Sequence, residues 1–162
     1  MERSWSRIGV CAVVLGFVLS LGAQVMAQAD PFVGTWVLNV DKSTFTGGGP
    51  GVRSRTLTIT AKGDTFNHTQ ETYRQGQDAI LRVVFDAKYD GSPAPVIGAA
   101  FGQVSFTRMG RTLTRKAMDV GMEVETATYT LSADGKTLTS AEVGYNSARG
   151  TASHNVLVFD RQ

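Results

Sequence analysis

Residues Gly34-Thr35-Trp36-Val37-Leu38-Asn39-Val40 decide how this chain is read. Trp36, Leu38 and Val40 recur at every second position with smaller or polar residues between them, the pattern of a strand with one buried face. A glycine-bounded tryptophan that begins a string of short strands suggests a closed barrel plugged at one end. A barrel of this size normally holds something.

The same alternation continues outward from that segment, with Thr, Val, Phe and Tyr enriched and no stretch of ten or more residues carrying an apolar face at helical spacing. It predicts strands near 34–40, 54–61, 65–74, 79–89, 102–108, 111–118, 122–132, 137–145 and 152–160. Lys62-Gly63-Asp64, Gln75-Gly76, Asp90-Gly91, Met109-Gly110, Val120-Gly121 and Asp134-Gly135 supply the tight reversals. The expected fold is therefore all-β, a single antiparallel up-and-down barrel of about 8–10 strands that removes its edges by closing. Pro31, Pro50, Pro93 and Pro95 are expected outside the strands, as a hydrogen-bonded ladder requires. Two longer connections, from about 41 to 53 and from 91 to 102, read as lids over a barrel mouth or as plain surface loops.

Residues 1–29 read as a cleaved export signal. Arg3 and Arg7 give the positive start, Ile8 to Leu21 the apolar run, and Ala27-Gln28-Ala29 the small-residue cleavage pattern. That run is shorter than the roughly 20 residues a spanning helix needs, and nothing after Asp30 approaches a membrane span. The expected location is periplasmic or secreted, with residues 30–162 forming one barrel domain. The single cysteine, Cys11, lies within the signal, so the mature domain carries no disulfide or thiol chemistry. The chain's formal charge is only +2, and no basic stripe with interleaved aromatics is visible, which argues against a nucleic-acid partner.

Pairing strands across the turns at Met109-Gly110 and Val120 sets Phe106 opposite Leu113, Val104 opposite Arg115, and Arg115 opposite Glu125. One face then carries Val104, Phe106, Arg108, Arg111, Leu113, Arg115, Ala117, Glu123, Glu125, Ala127, Tyr129 and Leu131. The other is rich in threonine, whose branched side chain suits the pleat while its hydroxyl stays wet. The mixed face is therefore expected inside, together with Trp36, Leu38, Val40, Leu57, Ile59, Leu81, Val83, Phe85, Tyr89, Leu157 and Phe159. Unpaired charges are costly in a dry core, so arginines and glutamates there call for a hydrated or ligand-filled cavity. Arg115, Glu125 and Tyr129 are the candidates for fixing the polar or anionic end of an otherwise apolar molecule, with Phe106, Leu113 and Arg108 beside them. A register slipped by one residue would instead put these charges outside as ordinary cross-strand pairs.

Other chemistries find less support. Gly47-Gly48-Gly49-Pro50-Gly51 lacks the Gly-Lys-Ser/Thr and following helix of a phosphate loop. His68 and Glu71 fall on opposite faces of a strand and cannot converge on a metal without a bulge, so neither metal nor cofactor is expected. No Gly-x-Ser-x-Gly elbow appears. Glu123 and Glu125 share a face, but a neighbouring Arg115 would hold one ionised and poorly suited to acid catalysis. Asn67-His68-Thr69 has the form of a glycosylation sequon, relevant only in a eukaryotic secretory route.

With Gly34-Thr35-Trp36 heading the meander and Arg161 after the last strand, Val156-Leu157-Val158-Phe159, the chain resembles the calycin superfamily of lipocalins and their relatives. It is most similar to exported bacterial lipocalin-like proteins through Phe32 to Ser43, Ala87-Lys88-Tyr89-Asp90-Gly91, and Leu131 to Leu138. The resemblance implies that Trp36 closes the barrel bottom and that Arg161 packs across it, with Gly34 alongside, a structural role. It also implies a small, largely hydrophobic partner. An isomerase or hydrolase on the same barrel, or an envelope interaction module with a packed interior, are the competing readings.

Overall fold

The computed structural model describes residues 29–46, 51–146 and 151–162. The expectations for the leader through Gln28 and for the run from Gly47 to Pro50 lie outside those residues. The ten strands are β1 (Gly34–Thr44), β2 (Val52–Lys62), β3 (Thr65–Arg74), β4 (Ile80–Ala87), β5 (Asp90–Pro95), β6 (Gln103–Met109), β7 (Thr112–Asp119), β8 (Met122–Leu131), β9 (Thr137–Asn146) and β10 (Thr151–Arg161). They form one antiparallel sheet in the order β4-β3-β2-β1-β10-β9-β8-β7-β6-β5, and no described residue is helical. This is an up-and-down, nearly closed barrel. Its two ends meet through a single bridge, Val84 with Ile97, whose two backbone hydrogen bonds are each 3.0 Å.

Alternation puts Trp36, Leu38, Leu57, Ile59, Phe85, Val104, Phe106, Leu113, Leu138, Leu157 and Phe159 into one buried cluster. The plug at the closed end is built around Trp36, which is fully buried and donates from its indole Nε1 to the Phe32 carbonyl at 2.9 Å. Arg161 lies over it, with its guanidinium carbon 4.1 Å from the ring centroid. Its Nε and Nη1 donate to the carbonyls of Gly135 and Val33 at 2.8 and 2.9 Å, and Nη2 donates to that of Pro31. Gly34 adopts φ +148°, and a Cβ there would sit 2.7 Å from Arg161 Nη1. The glycine of the opening tripeptide is thus the space that lets the arginine cap the tryptophan.

Several expectations are corrected. The stretch 79–89 does not run on into a loop: it ends at Ala87, and β5 follows at once, containing both Pro93 and Pro95. Prolines are tolerated there because β5 is an edge strand, with a ladder on one side only. Hairpin pairings shift by two residues, so that Phe106 faces Arg115, Arg108 faces Leu113 and Val104 faces Ala117. Arg115 likewise pairs in register with Ala127, and Glu125 with Ala117. A shift of two preserves which face is buried, because side chains alternate with period two. A register irregularity between Ala117 and Met118 breaks that parity locally. Glu123 therefore lies outside, where its Oε2 accepts from Lys116 at 2.9 Å. Val40 is 38% exposed rather than buried, and Leu81 39%, because both lie toward the open end of the barrel.

Candidate functional site

The barrel holds a cavity of about 270 Å³, near the small end of ligand pockets. Its lower wall is aromatic. The His68 ring lies near-parallel to Phe85 and Phe106, with centroids 4.8 and 4.9 Å away and interplanar angles of 17° and 21°. Tyr89 meets His68 edge-on, its Oη 3.4 Å from Nε2. Burial, helped by the positive charge of Arg115, pushes the His68 imidazole down to about 3, so it is a neutral ring at ordinary pH. Burial also raises the Tyr89 phenol, which stays protonated. His68 thus behaves as a fourth aromatic of the wall. Glu71 points outward to Arg82 at 3.6 Å, so the two residues do not converge.

Polar groups form a belt above that wall. Arg115 on β7 and Glu125 on β8 are diagonal neighbours and make a close ion pair. The Arg115 guanidinium sits between two rings, 5.9 Å from the centroid of Tyr129 and 5.9 Å from that of Phe101. Its Nε is buried and has no hydrogen-bond acceptor among the described residues. On the facing wall, Arg55 of β2 reaches Glu142 of β9 at 3.7 Å, and its Nε donates to Thr72 Oγ1 at 3.1 Å. Ser140 Oγ donates to Glu142 Oε1 at 3.4 Å. Burial lowers the pKa of Arg55, opposed by Glu142, and raises that of Tyr129. The lining residues thus include the guanidiniums of Arg55, Arg74 and Arg115 and the carboxylates of Glu125 and Glu142.

Five of the six residues singled out from sequence line the cavity: Phe106, Leu113, Arg115, Glu125 and Tyr129. Arg108 does not reach it. It lies at the closed end, where it pairs with Asp30 and sits 5.3 Å over the Phe32 ring, beyond the plug from the cavity. Arg55, Glu142 and Phe101 were not singled out. Arg55 has the parity of Leu57 and Ile59, and Glu142 that of Leu138 and Ser140, so alternation alone carried the signal for both. Phe101 had none, since it belongs to the connection after β5.

That connection, residues 96–102, folds over the cavity with Ala99 and Phe101 packed against the core. The second long connection is thus shorter than expected, because β5 takes up its first part.

The chain matches no protein-family model and no curated protein. Solved structures resemble it in fold. Zebrafish ileal bile acid-binding protein complexed with cholic acid aligns with a TM-score of 0.52 at 16% identity, over 82% of this chain and 100% of that one. Wild-type fluorescent protein UnaG aligns with a TM-score of 0.52 at 17% identity, over 81% and 97%. Rv2717c from M. tuberculosis aligns with a TM-score of 0.52 at 15% identity, over 82% and 93%. At these identities the likeness is one of architecture alone, an up-and-down β-barrel.

Proposed function

We propose that this protein is an exported, lipocalin-like barrel that binds and carries a small, largely hydrophobic molecule with one polar or anionic end. The observation that carries the reading is Arg115, which lines a cavity with an aromatic wall and whose buried Nε has no hydrogen-bond acceptor among the described residues. A ligand carboxylate or similar oxygen would pair with the Arg115 guanidinium through a charge-assisted hydrogen bond, and the apolar body would displace water from Phe106, Leu113 and Tyr129. Support also comes from the neighbour whose structure contains cholic acid, though a cavity of this volume suits a smaller molecule. A cavity of this kind is at odds with a solidly packed interaction module. The export signal over residues 1–29 belongs to the same proposal, with a periplasmic or secreted location.

Native mass spectrometry of protein purified from its host should reveal a bound small molecule, and displacement of an apolar fluorescent probe should rank candidate ligands. Failure of every apolar anion to bind the folded protein would remove the proposal. Fractionation of host cells, with the N-terminal residue determined, checks export: Asp30 is the expected first residue.

A catalytic reading keeps one specific observation in its favour. Tyr129, Ser140, Glu142 and Arg55 converge, and burial holds the Tyr129 phenol protonated and able to donate. Recovery of a chemically altered ligand after incubation would favour it over carriage.

A further inference from the structure

We propose that the ligand enters through the seam between β4 and β5, and that the Val84–Ile97 bridge is the latch of a flap formed by Val96 to Gly102. The inference rests on the reading of the cavity as a ligand site and adds how that site is reached.

Antiparallel ladders alternate hydrogen-bonded and non-bonded pairs, so a bonded pair at Val84 and Ile97 would be followed by Asp86 with Pro95 and by Lys88 with Pro93. Both of those positions require an N–H from β5, and proline has none. Sequence therefore stops the ladder on the side of the closed end. On the other side, Gly98 turns away with φ +84°, its backbone pressed so closely to β4 that a Cβ would lie 2.0 Å from the Arg82 carbonyl oxygen. The seam is left with one bridge, whereas the β2–β3 wall is laddered along its length.

The segment beyond the bridge is built to move as a unit. Val96 N–H donates to the Gly102 carbonyl at 3.0 Å, which closes the neck of the loop, and Gly102 N–H donates to the Met118 carbonyl at 3.2 Å. No charged side chain lies in Val96-Ile97-Gly98-Ala99-Ala100-Phe101-Gly102. Its inner side presents Ala99 and Phe101 to the cavity, and Phe101 stands over the Arg115 guanidinium. Releasing the two Val84–Ile97 hydrogen bonds would let the flap swing about its neck, widen the slot beside Pro93 and Pro95, and uncover the cation. Reclosure would return Phe101 over a bound anionic end.

The test uses the full chain with Cys11→Ser, Val84→Cys and Ile97→Cys. Bridge partners of this kind stand about 5.5 Å apart at Cα, within the span a disulfide needs. Stopped-flow mixing with anilinonaphthalene sulfonate, an apolar anion, should show entry and release slowed about tenfold or more in the oxidised protein and restored by reductant. Equal rates in both states would overturn the seam as the route. Pro93→Thr with Pro95→Thr restores the missing donors and should slow entry in the same direction without a crosslink; unchanged rates there would count equally against it. If the reduced protein binds no apolar anion at all, the ligand reading has failed, and the gate is judged by amide hydrogen exchange alone. Exchange at Val84 and Ile97 faster than at Leu57 supports it, and equal protection overturns it.

Discussion

Glu142 on β9 stands 3.7 Å from Arg55 on β2, although β1 and β10 lie between those strands in the sheet. The pair reaches across the inside of the barrel, with both side chains about nine-tenths buried. Removing one partner strands the other charge in a low-dielectric space. Glu142→Ala should therefore lower unfolding free energy by about 3 kcal/mol, read from the denaturant midpoint. Arg55→Met together with Glu142→Leu should recover most of that loss, because an apolar pair of similar volume needs no compensating charge.

Arg115 is the polar anchor. Arg115→Gln keeps a side chain of similar polarity but removes the charge and the Nε donor. A charge-assisted hydrogen bond contributes about 1.5–3 kcal/mol, so affinity for apolar carboxylates should fall about tenfold or more, while a neutral analogue of the same shape should lose little. Titration calorimetry on both ligands separates the two effects.

The closed end depends on Trp36 under Arg161. Trp36→Ala should cost about 3–5 kcal/mol through the cavity it leaves. Gly34→Ala should also destabilise, because its Cβ would press on an Arg161 Nη1 already committed to the Val33 carbonyl. Thermal unfolding should place Gly34→Ala below the parent, and Gly34→Ala should cost less on top of Arg161→Ala than alone, since the second change removes the clash and leaves only the backbone strain at φ +148°.

His68 predicts the acid side of the stability profile. Its folded pKa is about 3, below the ordinary value of 6.5, so between those limits the unfolded chain binds a proton that the folded barrel refuses. Stability is then fully present above about pH 6.5 and is lost as pH falls toward 3, with a slope approaching 1.4 kcal/mol per pH unit. Asp86, beside Lys62 and Asn67, and Asp64, beside Lys88, have pKa values below the ordinary carboxylate value, and add to the loss at more acid pH. His68→Phe should flatten the profile between about pH 6 and 5, measured as the denaturant midpoint at each pH.

Val120 adopts φ +46° at the turn between β7 and β8, the only described residue other than glycine with positive φ, and it is 92% exposed. A β-branched side chain is poorly suited to that region, and Asn-Gly is the favoured pair in such hairpins. Val120→Asn should raise stability by about 1 kcal/mol without changing ligand affinity, again by denaturant titration and calorimetry.

Much of this molecule follows from alternation. The period-two pattern of Trp36, Leu38, Leu57, Ile59, Leu157 and Phe159 requires strands with one wet face, and short glycine turns require that they pair in succession. The buried sides of β6, β7 and β8 follow from the threonines opposite them, and survive a two-residue error in register because parity does not change. On that face Glu123 turned to solvent, where an irregularity beside Met118 breaks the alternation, and Arg111 is exposed at the turn before β7.

Tertiary structure decided what alternation cannot carry. A local pattern says which way a side chain faces but not which distant strand it meets, since that depends on tilt and stagger around the whole barrel. Arg55 and Glu142 each sit at legible inward positions, yet only closure brings them within 3.7 Å of one another. Phe101 over Arg115 is likewise a product of closure, because its connection has no periodicity and is placed by the one bridge at Ile97. The sequence by itself determined strands, faces and plug, because those depend on neighbours two residues apart. The size of the cavity, its buried unpaired donor and the seam in its wall came from the way the two ends of the sheet meet.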